Sequence, residues 1–430
     1  MRRFYITLTS LFLLVFAVTA QSPKDEFKKN LRLSGNNFLA YPGPTQRAQT
    51  PAPAGMRPFY ISHYGRHGSR YQTKSIDYDY AYEVLLKASS QKALTPLGSD
   101  VLRRLALIRQ EAQGRLGDLT PLGAQQQKDI AKRMVECFPE VFEGEAVVEA
   151  RSTITPRCIL SMSNFVNQLL LLNPRMVISQ DASEHDLYYL KHAYTPVGER
   201  DAKDHFKLFC DKYRCYERVV GQLFADTAYL HRYVNGERLC FYLFREASNL
   251  QSSELSKSLT LYDLFTNEEI YEMWLKENAS WFLGFGFTDL SGDDMPYSQS
   301  NLLRNIIEQA DSCIRLPKPG CTLRFGHETM LLPLACLMGL NGFGQRINDL
   351  EQLERKGWIC YRIFPMAANI QLIFYRSDPS DKDVLFKVLL NENEATLPLK
   401  SDKAPYYHWS DFREHYLQML DDYKARHLND

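Results

Sequence analysis

The apolar run Pro58-Phe59-Tyr60-Ile61-Ser62 leads, a few residues on, into Arg66-His67-Gly68-Ser69-Arg70-Tyr71. A short apolar run bounded by a polar turn reads as a buried strand, so the histidine between two arginines falls at a strand end. Guanidinium groups this close repel each other and depress protonation of the imidazole, which makes sense where a dianion normally sits among them. Neutral imidazole can attack phosphorus, and planar arginine forks can hold phosphoryl oxygens bidentately while charge shifts. These six residues alone leave open an exposed basic turn beside a core histidine.

The pattern of the residues beyond that turn sets the fold class. Thr95-Pro96-Leu97-Gly98 opens a helical pattern through Leu102, Leu105 and Ile108, with Thr95 able to cap and Pro96 at the first helical position. Thr120-Pro121-Leu122-Gly123 repeats the device before Ile130 and Met134. Ala146 to Glu149 then predicts a strand, Arg157 to Leu172 a helix, and Met176 to Ile178 a strand. Strand character resumes at Cys321 to Phe325, followed by an apolar helix from Met330 to Leu340. Tyr361 to Phe364, Ile370 to Tyr375 and Val384 to Leu390 read as strands, and Trp409 to Arg426 as a terminal helix. Strands alternating with helices predict an α/β fold with a doubly wound, mostly parallel sheet, whose ligands gather at the carboxyl ends of strands. Residues 183–315 change character, with helical spacing and many Tyr, Phe and charged residues, and read as an inserted helical cap. Residues 21–182 and 316–430 then form the core, with the proline-rich lead-in of residues 21–56 wrapping a surface.

Two more strand-to-helix junctions carry chemistry. Gly326-His327-Glu328-Thr329 precedes the apolar helix; His327 can bond a phosphoryl oxygen and Glu328 can protonate a leaving oxygen, although a Glu there also suits the helix dipole. In Arg151-Ser152-Thr153-Ile154-Thr155-Pro156-Arg157-Cys158, a helix starting near Arg157 would aim N–H groups at an anion, with the guanidinium as a charged donor. Three such turns, far apart in sequence, each offer what a phosphate clamp needs.

The formal net charge of +0 gives no global pull toward nucleic acid or anionic membranes, so anion selectivity must come from local clusters. Arg2 and Arg3, an apolar stretch from Phe4 to about Val18 and the small residues through Ala20 read as a signal peptide over residues 1–20. An exported protein, periplasmic or extracellular, is therefore expected, with no stable membrane insertion once the signal is removed. Export would place nine cysteines in an oxidising compartment, with Cys210–Cys215 and Cys313–Cys321 close enough in sequence to staple loops. There is no CxxC pair, and His185, Asp186 and His192 read as a solvated helical face, so no metal site is expected. Asn278-Ala279-Ser280 is a formal glycosylation acceptor.

Together, Arg66-His67-Gly68-Ser69-Arg70, the Arg-Ser-Thr stretch ending at Arg157, and His327-Glu328 resemble the two-domain branch of histidine acid phosphatases, which includes phytases and prostatic-type acid phosphatases. Within it, Arg157-Cys158, Phe325-Gly326-His327 and Leu331-Leu332-Pro333-Leu334 look most like multiple inositol polyphosphate phosphatases. The resemblance implies a phosphomonoesterase in which His67 becomes phosphohistidine, Arg66, Arg70, Arg157 and His327 hold the phosphoryl group, and Glu328 is the general acid. It implies no cofactor or metal, and small phosphate esters, inositol polyphosphates foremost, rather than nucleic acid as partners. A broader acid phosphatase, a 2,3-bisphosphoglycerate phosphatase and a silent inositol phosphate binder remain alternatives. One departure stands out: those phosphatases usually have His-Ala-Glu where this chain has His327-Glu328-Thr329. Tyr71 and Arg324, beside motif residues, and Lys191, Arg200, Lys203, Lys207, Lys212 and Arg214 in the insertion are further candidates for substrate contact, or simply structural and solvated groups.

Overall fold

A computed structural model describes residues 22–191, 199–214, 216–291, 294–381 and 384–427, without the side chains of residues 199–201. The expected signal peptide, His192, Cys215 and the side chain of Arg200 lie outside the described residues. One mixed sheet organises the chain: β1 (Arg57–Arg66), β2 (Val147–Ser152), β3 (Val177–Asp181), β4 (Gly320–Gly326), β5 (Asn369–Arg376), β6 (Leu385–Leu390), β7 (Asn393–Ala395) and β8 (Tyr407–His408). Its order is β3-β2-β4-β1-β5-β6-β7, with β8 on β6. From β3 to β1 every pairing is parallel, and from β1 outward β5, β6 and β7 pair antiparallel. β4 is inserted between β1 and β2, strands that precede it in sequence, so three strand ends from distant parts of the chain become neighbours.

The period of two along the strands loads both faces. Tyr60 and Tyr64 of β1 join one core with Ile370, Leu372 and Phe374 of β5 and the helix Glu328–Leu337. Ile61 joins the opposite core with Leu323 and Phe325 of β4 and the helix Pro156–Leu172. Among the described residues, every helix or strand between 183 and 315 is helical. These helices share cores with the rest of the chain: Leu243 and Trp274 pack with Leu85 and Leu105, whereas Leu302 and Ile306 pack against the sheet. No helix among the described residues is long and apolar enough to cross a membrane.

Both Thr-Pro-Leu-Gly segments start helices as read, Pro96–Glu111 and Pro121–Cys137, each with its threonine side chain accepting from the glycine N–H three residues on. Two expectations differ. Tyr361 to Phe364 is no strand; Cys360–Ile363 forms a helical turn, because a short apolar run does not tell a buried strand from a buried turn. Cys313 and Cys321 are both free thiols: Cys313 packs into the core on one face of the sheet and Cys321 into that on the other, so sequence proximity does not bring their side chains into bonding register.

Candidate active site

At the carboxyl end of β1, Arg66 lies in register with Gly326 of β4, and Ser152 of β2 in register with Phe325. The His67 N–H donates to the Gly326 carbonyl at 3.0 Å and the Thr153 N–H to the Phe325 carbonyl at 3.0 Å, so the three turns are stitched together just beyond the sheet. All six residues singled out from the sequence, Arg66, His67, Arg70, Arg157, His327 and Glu328, meet here.

His67 is fully buried. Its Nδ1 lies 2.9 Å from the Gly68 carbonyl, which can only accept, so Nδ1 carries the proton and Nε2 the lone pair. Nε2 has no hydrogen-bond partner; the nearest carboxylate oxygen, Glu328 Oε2, is 3.5 Å away. Burial, helped by the Arg66 and Arg157 charges and only partly opposed by Glu328, holds the imidazole pKa well below its ordinary value. A neutral imidazole with a free Nε2 is a nucleophile.

Three guanidinium groups surround it. Arg66 donates from Nη1 to the carbonyls of Asn37 and Phe364, both at 2.8 Å, and from Nε to Glu328 Oε2 at 3.1 Å, leaving Nη2 unpartnered. Arg70, 5% exposed, donates to the Tyr71 carbonyl and approaches Glu328 Oε1 at 3.9 Å, with Nε unpartnered. Arg157 points Nη2 at His327 Nδ1, 3.4 Å away, and its Nε is also unpartnered. Buried donors left without acceptors are costly, and three of them around one lone pair describe a socket for an anion.

Glu328, first residue of its helix, now fills part of that socket. Burial opposes its ionisation, but the Arg66 charge, His67 and Arg70 outweigh it and hold the carboxyl well below the usual carboxylate range. The adjacent His327 has its ring 5.5 Å from that of His67, with Nε2 at 3.4 Å from Thr155 Oγ1. Burial, despite the pull of Glu328, brings its pKa down to about 4, so His327 is neutral. Thr155 sits at the start of the helix Pro156–Leu172 without capping it, its hydroxyl being turned to His327 instead. His67, His327 and Glu328 offer ligand atoms within 4.8 Å of one another, a spacing a metal ion could use; the arginines put positive charge where that cation would sit and favour an anion.

The family model of the histidine phosphatase superfamily (branch 2) matches residues 65–391, which span all three turns. The chain belongs to that superfamily. A multiple inositol polyphosphate phosphatase 1 from Gallus gallus is 23% identical over 409 residues, covering 87% of this chain and 84% of the relative; its Homo sapiens namesake is 22% identical over 338 residues, covering 71% and 66%. Among solved structures, the Bifidobacterium longum multiple inositol polyphosphate phosphatase in complex with inositol hexasulfate superposes with a TM-score of 0.73 at 17% identity, covering 89% of this chain and 97% of that one. The phytase from D. castellii gives 0.64 at 14% identity, covering 90% and 85%. Their shared fold is the α/β sheet with helical insertions described above.

Several residues that shape the phosphatase's site were not singled out from the sequence. Gln127 donates to the Arg66 carbonyl at 3.0 Å, Gln126 accepts from the Ser69 N–H at 2.9 Å, and Ser161 accepts from the Gly68 N–H at 3.1 Å, so the clamp turn is held at three points. The signal was there in part: Gln126 and Gln127 fall on the same helix face as Ile130 and Met134, where a polar residue needs a buried partner. Asn36 and Asn37 gave no such signal; Asn36, 2% exposed, adopts φ 50° and ψ −117°, backbone strain of the kind that collects at functional sites.

The side chains of other candidates are engaged elsewhere. Tyr71 is buried with its hydroxyl accepting from Arg115. Arg324 is 1% exposed and bonds Asn305 and Ser62 within the sheet region. In the insertion, Lys207 and Arg214 pair with Asp211 and Lys212 with Glu351, as exposed ion pairs on a solvated face. Asn278 is buried, bonding the Trp358 carbonyl and the Cys360 N–H, so folding withdraws the glycosylation acceptor.

Proposed function

We propose that this phosphatase hydrolyses inositol polyphosphates, phytate included, through a phosphohistidine intermediate. The observation that carries the mechanism is the unpartnered Nε2 of a neutral His67 among three arginines with unpaired donors. The substrate class is supported by what the relatives are named for and by the inositol hexasulfate held by the Bifidobacterium longum protein.

The substrate phosphoryl group displaces the Glu328 carboxylate from Arg66 and Arg70. A dianion beside Glu328, with the arginines turned to it, raises the carboxyl pKa, and the protonated acid becomes available. His67 Nε2 then forms a bond to phosphorus as the ester P–O bond breaks, and the Glu328 proton passes to the departing alkoxide. In the second half Glu328, now a carboxylate, takes a proton from water, whose oxygen attacks phosphorus, breaking the N–P bond and releasing inorganic phosphate. Arg66, Arg70, Arg157 and His327 stabilise the charge on the transferring oxygens throughout. Export is part of this proposal and rests on the sequence of residues 1–20 alone.

Incubating the purified protein with phytate, and resolving the inositol phosphates formed against a panel of simple monoesters, tests the reading. His67→Ala is expected to abolish phosphate release while the far-UV circular dichroism stays that of the parent. Undiminished turnover in that variant rules the mechanism out; turnover of simple monoesters but not of phytate rules out the substrate class; binding without turnover in the parent makes the chain a binder.

A further inference from the structure

Tyr64, which enters no catalytic step, lies on β1 two residues before Arg66 and is 1% exposed. Alternation along the strand puts the two side chains on one face of the sheet, and both reach the start of the helix Glu328–Leu337. Arg66 takes the Glu328 side chain, its Nε donating to Oε2 at 3.1 Å. The Tyr64 hydroxyl takes the backbone: it accepts from the His327 N–H at 3.2 Å and lies 3.5 Å from the His327 carbonyl, which can only accept its proton. That carbonyl belongs to the peptide joining His327 to Glu328, so one phenol oxygen lies against the peptides on both sides of the residue before the acid.

Two further features set this contact apart from the partner that any buried tyrosine finds. His327 stands at the N-cap of the helix, and its side chain makes no capping bond, so the residue that usually anchors a helix start supplies no hold here. Gly326 admits the phenol: a Cβ there would lie 2.2 Å from the hydroxyl oxygen, well inside van der Waals contact. Burial, with Cys158 and Glu328 acting in the same sense, holds the Tyr64 pKa well above its ordinary value, so the hydroxyl keeps its proton while the clamp works. In the proposed mechanism the arriving phosphoryl group displaces Glu328 from Arg66. From that moment the carboxyl has lost its own partner, and the backbone that carries it decides where it points.

We propose that Tyr64 is a positioning residue for the general acid: by holding both peptides of His327 it fixes the helix start from which Glu328 reaches the leaving oxygen. This rests on the acid role given to Glu328 above and names the group that aims it. Tyr64 itself touches neither substrate nor the reacting atoms.

Tyr64→Phe keeps the buried ring and removes one oxygen, so the full chain is expected to fold. Steady-state kinetics are compared for an alkyl phosphate, whose leaving group needs a proton, and p-nitrophenyl phosphate, whose leaving group needs little. Loss of the hold is expected to lower kcat/KM for the alkyl ester about tenfold or more, and for the nitrophenyl ester less than about threefold. In the Glu328→Gln background, where no acid is left to aim, the same substitution is expected to add less than about threefold on either ester. Urea unfolding, and competitive inhibition by inorganic phosphate within about threefold of the parent, verify that fold and clamp are kept. Equal losses on the two esters, no loss on either, or a further tenfold loss in the Glu328→Gln background makes Tyr64 a structural tyrosine and overturns the proposal. A parent that hydrolyses neither ester removes the phosphatase reading itself, and the positioning role with it.

Discussion

At the scale of single residues, the least expected observation is that Glu328 turns back onto the arginines to which the proposed mechanism assigns the phosphoryl group. Its carboxylate lies 3.1 Å from Arg66 Nε and 3.5 Å from His67 Nε2, a resident anion that offsets guanidinium repulsion. Glu328→Gln therefore has two opposite effects. Removing the acid is expected to lower kcat/KM for alkyl phosphates by about 10²-fold or more, and that for p-nitrophenyl phosphate far less, since nitrophenolate leaves with little protonation. Removing the resident charge is expected to tighten inorganic phosphate binding by about tenfold, read as a lower competitive inhibition constant or by calorimetry. Equal losses on both esters would take the acid role from Glu328, and unchanged phosphate affinity would show that the carboxylate does not compete. The sequence made the six clamp residues legible because each stands at a strand-to-helix junction with distinctive chemistry. It could not show that Glu328 turns back onto Arg66, because that contact depends on β4 pairing with β1 across 262 residues.

Secondary-structure elements explain how the clamp turn keeps its shape. The two Thr-Pro-Leu-Gly segments are legible as helix starts, but the reason each ends in glycine emerges only in the fold. A Cβ on Gly123 would lie 2.2 Å from the Ser69 carbonyl oxygen, and one on Gly98 2.2 Å from that of Leu223. In both, the threonine N–H also donates to that same carbonyl, at 2.9 Å from Thr120 and 3.0 Å from Thr95. The repeat is thus a docking device: a helix start pressed against a backbone carbonyl of another segment. At Gly123 that segment is the clamp turn itself. Gly123→Ala is therefore expected to cost about 1–3 kcal/mol of stability through overpacking and to reduce kcat, because relief of the clash shifts Ser69 between His67 and Arg70. Gly98→Ala, pressed on a helix-linking segment far from the clamp in sequence, is expected to cost similar stability with a much smaller kinetic effect. Urea unfolding and steady-state kinetics on both variants check this; equal kinetic losses would show that helix docking in general, rather than the clamp turn, is the sensitive part. The run Tyr361 to Phe364 reads as a strand in sequence for a related reason. Its backbone serves the site, the Phe364 carbonyl accepting from Arg66, and no sequence pattern marks a carbonyl as an acceptor.

Across the whole molecule, the histidines withdrawn from water couple folding to pH. His63 lies between the rings of Phe165 and Phe325, with centroids 5.4 Å from each, and its Nδ1 is unpartnered. Burial, helped by the Arg324 charge, brings its pKa down to about 3; burial does the same to His327, down to about 4, and holds His67 well below its ordinary value. In the unfolded chain all three take protons near their ordinary pKa of about 6.5. Between that pH and the folded values, protons bind the unfolded state and not the native one, so stability is fully present above about 6.5 and lost as the pH falls. Each group contributes up to about 1.4 kcal/mol per pH unit of this slope. Glu328, whose folded pKa is depressed, adds loss of the same sign below its unfolded value of about 4.3. Glu246 and Glu277, whose carboxyl pKa values burial raises, take up protons in the native state over the same range and oppose part of this loss. The unliganded protein is therefore expected to lose a net of up to about 3 kcal/mol by about pH 4.5, against a total of about 5–15 kcal/mol for a folded domain. Urea midpoints measured from pH 7.5 to 4.5 check this, and His63→Leu isolates its cause. His63 packs between core rings and makes none of the clamp contacts, and the variant is expected to flatten the slope by about a third of the histidine contribution, up to about 1.4 kcal/mol per pH unit. An unchanged slope in His63→Leu would mean that this imidazole titrates in the folded protein much as it does in water.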